Sequence, residues 1–132
     1  MILIADDDAG LAESCSMLLE ACGYDVQVVP NGAEALSSIA AREPKLLISD
    51  YCMPGMSGLQ LCETLKARPS GRAFPILLMS GTLQARVALG SYDAFLRKPF
   101  LAEEFLLKVR RLLKNGPLVQ LAAAAPSTAA GM

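Results

Sequence analysis

The sequence predicts an α/β fold, a (βα)5 chain whose strands form one parallel five-stranded sheet covered by helices on both faces. Three observations predict it. Short apolar runs alternate with amphipathic stretches along residues 1–116. The first run, Met1-Ile2-Leu3-Ile4-Ala5, is apolar without alternation, as in a strand buried on both faces. The intervening stretches carry apolar residues at helical spacing, and right-handed crossovers between parallel strands need such helices.

Taken in order, Asp8 is placed to cap a first helix with Leu11, Ala12, Cys15, Leu18, Leu19 and Cys22 on one face, ended by Gly23. Asp25 to Val29 reads as the second strand. Asn31 with Glu34 resembles a capping box opening a helix that buries Leu36 and Ile39 and stops at Pro44. Lys45 to Ser49 is a third strand ending at Asp50, and Ser57 can cap a third helix carrying Leu59, Leu61, Cys62 and Leu65. After a loop at Arg68-Pro69-Ser70-Gly71 comes a fourth strand, Phe74 to Met79, with Ser80 at its end. A short or irregular fourth helix is expected around Thr82 to Ala88, then a short fifth strand, Asp93 to Leu96. The last helix has Glu103 and Glu104 in its first turn, a stripe of Leu101, Phe105, Val109, Leu112 and Leu113, and basic residues at its end. Asn115-Gly116-Pro117 stops it. Residues 1–116 are expected to form one domain, and residues 117–132 an Ala/Pro-rich tail. For Leu118, Val119 and Leu121 in that tail, packing on the domain, packing on a partner and disorder all stay open.

Composition narrows the function. A hydrophobic fraction of 53% supplies a core without disulfides, and the formal charge of −1 argues against nucleic acid or membrane as the main partner. Lys108, Arg110, Arg111 and Lys114 cluster, but cations favour a helix C-terminus in any case. No apolar run approaches the roughly 20 residues of a membrane span. The N-terminus has no leader pattern, so a cytoplasmic location is expected. Cys15, Cys22, Cys52 and Cys62 show no CxxC pattern and read as small core residues. The absence of histidine excludes, within this chain, a His-based triad, a His-ligated zinc site and a phosphoaccepting histidine.

Ligands of parallel sheets bind at the carboxyl ends of the strands. This chain puts Asp6, Asp7 and Asp8 after strand 1, Asp50 after strand 3, Ser80 after strand 4 and Lys98-Pro99 after strand 5. Crowded carboxylates repel, and a hard divalent cation relieves them, so Asp6, Asp7 and Asp50 form a candidate Mg²⁺ site. A carboxylate beside Mg²⁺ can attack phosphorus. Lys98 would pair with phosphate oxygens and Ser80 would donate a hydrogen bond. Asp8 reads mainly as a cap.

These residues resemble the receiver domains of bacterial two-component systems. The resemblance rests on Ile4-Ala5-Asp6-Asp7-Asp8, on Asp50-Tyr51-Cys52-Met53-Pro54 with Gly58, on Ser80, and on Phe95-Leu96-Arg97-Lys98-Pro99-Phe100. It implies a flavodoxin-like doubly wound sheet of order 2-1-3-4-5. It implies Asp50 as phosphoacceptor, Asp7 as direct and Asp6 as water-mediated Mg²⁺ ligand, and the Cys52 carbonyl as a further ligand. Ser80 becomes the switch hydroxyl, Lys98 the phosphate-pairing lysine, and Lys98–Pro99 a cis peptide. Phe95 occupies the switch aromatic position, where a buried core Phe and a moving rotamer both fit.

The chain departs from that pattern in three places. The Ser80 to Lys98 interval is about one helical turn short, Gly81 stands where a small residue such as Ala is common, and Phe95 lacks a hydroxyl. The implied function is a phosphorylation-dependent switch, not an enzyme. Its donor would be a histidine kinase or histidine phosphotransfer protein, and its output protein–protein contact, with a homodimer open. Two other readings stand beside it: a receiver-fold scaffold with impaired switching, and a receiver fragment of a longer regulator. An aspartyl-phosphate hydrolase would instead show a second aspartate where Cys52 stands. A flavin protein would need a phosphate loop where Asp6, Asp7 and Asp8 stand.

Overall fold

The computed structural model describes residues 1–69, 72–81 and 92–115. Its strands are β1 (Ile2–Ala5), β2 (Val26–Val29), β3 (Leu46–Asp50), β4 (Ile76–Ser80) and β5 (Ala94–Arg97). The described helices are α1 (Ala9–Ala21), α2 (Gly32–Ala41), α3 (Gly58–Lys66) and α4 (Ala102–Asn115), so α4 is the last helix of the sequence reading. All strand pairs are parallel, in the order β2-β1-β3-β4-β5.

Strand alternation sends side chains to two cores. Leu3, Ala5, Leu47, Ile76 and Leu78 pack with Ala35 and Ile39 of α2 and Leu61 and Leu65 of α3. Ile2, Ile4, Leu46, Ile48, Leu77 and Met79 pack with Cys15 and Leu19 of α1 and Phe105 and Val109 of α4. The sheet is therefore doubly wound, as the sequence predicts. The region expected to hold the short fourth helix, and the tail after Asn115, lie outside the described residues.

Capping follows the local chemistry. Asp8 accepts a hydrogen bond from the Leu11 N–H at 3.1 Å. Ser57 and Gln60 form a reciprocal capping box, at 3.1 Å and 2.9 Å. Asn31 accepts from the Glu34 N–H at 2.8 Å, but Glu34 closes the pair through the Asn31 side-chain amide, not through its backbone N–H. Gly23, at φ 90°, takes the left-handed turn that ends α1.

Several expectations are corrected. Cys22 is not on the buried face of α1; it is the C-cap, one residue past the helix, and is exposed. Cys52 is likewise exposed, because it lies in the loop leaving β3. Leu101 precedes α4 and is 68% exposed; its N–H is taken by the Glu104 carboxylate at 3.1 Å, while its side chain faces solvent. β4 begins at Ile76, not at Phe74, since Pro75 has no N–H to give to a ladder. β5 begins at Ala94, not at Asp93.

Asp93 instead anchors the start of both strands. Its buried carboxylate accepts from the Ile76 N–H at 2.7 Å and pairs with Arg72 Nη1 at 2.5 Å. Arg72 also donates to the Phe74 carbonyl at 2.9 Å. The two side chains are 4% and 0% exposed. Removing one partner of a buried pair strands the other charge, so Asp93→Ala is expected to lower the unfolding free energy by about 3–5 kcal/mol, measured by urea denaturation. The cysteines give a second expectation. Burial pushes the Cys15 thiol up to about 11 and the Cys62 thiol up to about 12. Iodoacetamide at mildly alkaline pH should therefore label Cys22 and Cys52 on the native protein, and Cys15 and Cys62 only after denaturation, as read by peptide mass.

Candidate functional site

Adjacent strands deliver their terminal residues side by side. Ala5 pairs with Ser49, which brings Asp6 alongside Asp50. Asp50 pairs with Met79, and Ser80 with Arg97, so Ser80 and Lys98 complete the same edge. The Ser80 carbonyl accepts from the Lys98 N–H at 2.8 Å, which ties the ends of β4 and β5 together.

One carboxylate oxygen from each of Asp6, Asp7 and Asp50 lies within 4.8 Å of the other two. Lys98 Nζ sits 3.0 Å from Asp50 Oδ1 and 3.6 Å from Asp6 Oδ2. Asp6 and Asp50 are buried, at 2% and 7% exposure, and Asp7 is exposed. With every group ionised, three carboxylates face one ammonium, an excess of two negative charges. Asp6 bears the strain. Its Oδ1 accepts from the Asp8 N–H at 2.9 Å, while its buried Oδ2 has no hydrogen-bond partner among the described residues. Burial raises the Asp6 carboxyl above its ordinary value, and the Asp50 and Asp7 charges add to the rise. The Asp8 N–H and Lys98 oppose it without reversing it. For Lys98, burial pulls the ammonium down, but the hydrogen bond to Asp50 and the charges of Asp6 and Asp50 outweigh burial, so its pKa is raised.

This donor set fits Mg²⁺: hard oxygens, one of them buried without a donor, and a charge excess equal to the ion's charge. Nothing soft or imidazole-like competes, since the three clustered ligand groups are all carboxylates.

The other predicted residues are placed as follows. Ser80 is buried, at 1% exposure, at the end of β4. Cys52 stands two residues past Asp50 in a loop held by the buried Met53. Phe95 is half-buried against the α2/α3 core. The Lys98–Pro99 peptide is cis. A cleft of about 500 Å³ lined by Asp8, Leu11, Gly81, Lys98, Pro99 and Phe100 opens beside the acidic cluster. Two features of the site went unremarked in the sequence. Asp8 is a cap that also serves Asp6 through its N–H. Ser49, fully buried, donates to the Asp50 carbonyl at 3.0 Å. A hydroxyl inside an apolar strand is the one signal that could have flagged it.

Residues 2–110 match the family model of the response regulator receiver domain. The DNA-binding response regulator MtrA of Mycobacterium leprae (strain TN) is 36% identical over 118 residues, covering 86% of this chain and 51% of that protein. The chain thus spans about half the length of the curated relatives it matches. Among solved structures, the signal receiver domain of a histidine kinase from Syntrophus aciditrophicus superposes with a TM-score of 0.79 at 36% identity, covering 86% of this chain and 89% of that one. The response regulator TrrA of Thermotoga maritima, in complex with Mg²⁺-BeF, gives 0.76 at 29% identity, covering 84% and 96%. With its fold and its family model in agreement over most of the described residues, the chain belongs to the response regulator receiver-domain family.

Proposed function

We propose that this chain is a phosphorylation-dependent signalling switch that accepts a phosphoryl group on Asp50 from a phosphohistidine of a partner histidine kinase or histidine phosphotransfer protein. The observation that carries this reading is the Asp50 carboxylate held 3.0 Å from Lys98 Nζ inside the Asp6, Asp7 and Asp50 cluster. An Asp50 carboxylate oxygen forms the new O–P bond as the N–P bond to the donor imidazole breaks, and the leaving nitrogen takes its proton from solvent. Lys98 neutralises the phosphoryl oxygens, and the hydroxyl of Ser80, the residue that ends β4, donates to one of them. Asp6, Asp7, Asp50 and the Cys52 carbonyl would hold Mg²⁺, which supplies charge neutralisation at the transferring group.

Phosphorylation would bias the loops after β4 and β5, with Ser80 and Phe95 as the switching side chains and a partner protein as the reader. The setting would be the cytoplasm. No described helix is long and apolar enough to cross a membrane. A second reading follows from the length of the relatives: the chain as the receiver part of a longer regulator, with any DNA contact made outside the receiver.

Incubation with acetyl phosphate and Mg²⁺ is expected to give one phosphoryl adduct by intact mass, absent with EDTA and absent in Asp50→Asn. Lys98→Met should slow its formation about 10²-fold, the usual cost of removing one charge-stabilising group. Asp6 gives a stability expectation. Its folded pKa lies above the unfolded 3.8, so its stabilising contribution is full below that value and is lost as pH rises through the folded value. At neutral pH the ionised Asp6 costs stability. Asp6→Asn should therefore raise the Tm of the metal-free protein by about 4 °C, for about 1 kcal/mol, and shrink the Tm gain from millimolar Mg²⁺.

A further inference from the structure

The phosphoacceptor's own backbone is gripped from several sides. Ser49 lies in the middle of the sheet, paired with Ala5 on one side and Leu78 on the other, and all three are 0% exposed. Its hydroxyl donates to the Asp50 carbonyl at 3.0 Å. That carbonyl belongs to the peptide unit joining Asp50 to Tyr51, whose N–H donates to the Met79 carbonyl at 2.7 Å. The unit is therefore held at both ends, oxygen and nitrogen. The first residue of α3 closes the remaining side. A Cβ on Gly58 would overlap the Asp50 carbonyl oxygen and come within 2.9 Å of Leu78 Cδ1. Gly58 N–H in turn donates to the Tyr51 carbonyl at 2.8 Å.

A bare hydroxyl among apolar neighbours costs stability unless it is bonded, and a methyl group would fill the same place more cheaply. The Ser49 hydroxyl spends its hydrogen on the carbonyl of Asp50 itself, whose orientation fixes the Asp50 backbone and where the loop to Cys52 begins. From this geometry we infer that Ser49 is a positioning residue for Asp50. Its hydroxyl holds the Asp50–Tyr51 peptide plane so that the carboxylate stands against Lys98 and the Asp6/Asp7 cluster. The inference rests on the reading of Asp50 as phosphoacceptor and metal ligand.

The test compares the full chain with Ser49→Ala, which removes the hydroxyl, and Ser49→Thr, which keeps it. Two readouts are taken: the initial rate of Mg²⁺-dependent adduct formation from acetyl phosphate, and the midpoint of a Mg²⁺ titration followed by thermal shift without any phosphodonor. Ser49→Ala is expected to lower the rate and weaken the Mg²⁺ midpoint, each about tenfold, as outer partners of a metal site usually do. Its metal-free Tm should stay close to that of the parent, and Ser49→Thr should recover most of both losses. Parental rate and midpoint in Ser49→Ala would overturn the inference. So would equal losses in both variants, since the packing and not the hydroxyl would then matter. If the parent binds Mg²⁺ but forms no adduct, the phosphoacceptor reading fails, and the Mg²⁺ midpoint of Ser49→Ala alone decides the role of Ser49.

Discussion

Everything at the functional edge depends on an electrostatic imbalance that the fold creates and does not repair. Parallel pairing of β1 with β3 sets Asp6 beside Asp50, and Asp7 follows one residue on. Lys98 reaches both buried carboxylates but cannot balance three. Burial sharpens the conflict, because a carboxylate removed from water needs donors, and Asp6 Oδ2 has none at hydrogen-bond distance among the described residues, Lys98 Nζ standing 3.6 Å away. A structure built for stability alone would place apolar or neutral groups at these positions. The unbalanced negative charge is what fits the edge to a divalent cation.

The rest of the molecule supports that arrangement. Two apolar cores clamp the sheet, so its strand ends stay in register. The Ser80–Lys98 backbone hydrogen bond ties β4 to β5, and the Asp50–Tyr51 peptide is held by Ser49 and Met79. At the opposite end of β4 and β5, the buried Arg72–Asp93 pair satisfies the Ile76 N–H and the Phe74 carbonyl where the ladder begins. Charge is thus compensated at the structural end and left in excess at the chemical end.

Much of this was legible in the sequence for a physical reason. Charged and hydroxyl residues that close an apolar run mark a strand's carboxyl end, which is how Asp6, Asp7, Asp50, Ser80 and Lys98 could be picked out. Helix caps were legible because Asp8, Asn31 and Ser57 act on neighbours a few residues away. What escaped was set by the third dimension or by a single residue of phase. Cys22 shares the spacing of the buried face of α1, yet the helix ends one residue earlier. Leu101 shares the spacing of α4 but precedes its first turn. Arg72 and Asp93 meet across 21 residues only because β5 lies beside β4. For Ser49 the one signal was a hydroxyl inside an apolar strand, and its acceptor is a backbone carbonyl, which residue types do not reveal.

The central claim is that the acidic edge is one site, taking a divalent cation and a phosphoryl group together. Amide proton–nitrogen NMR spectra recorded without ligand, with Mg²⁺, and with Mg²⁺ plus beryllium fluoride test it most directly. Mg²⁺ should shift the amides of Asp6, Asp7, Asp50 and Cys52. Beryllium fluoride should extend the shifts to Ser80 and Lys98, and only when Mg²⁺ is present. Spectra in which these amides stay put, or in which beryllium fluoride acts without Mg²⁺, would contradict the account.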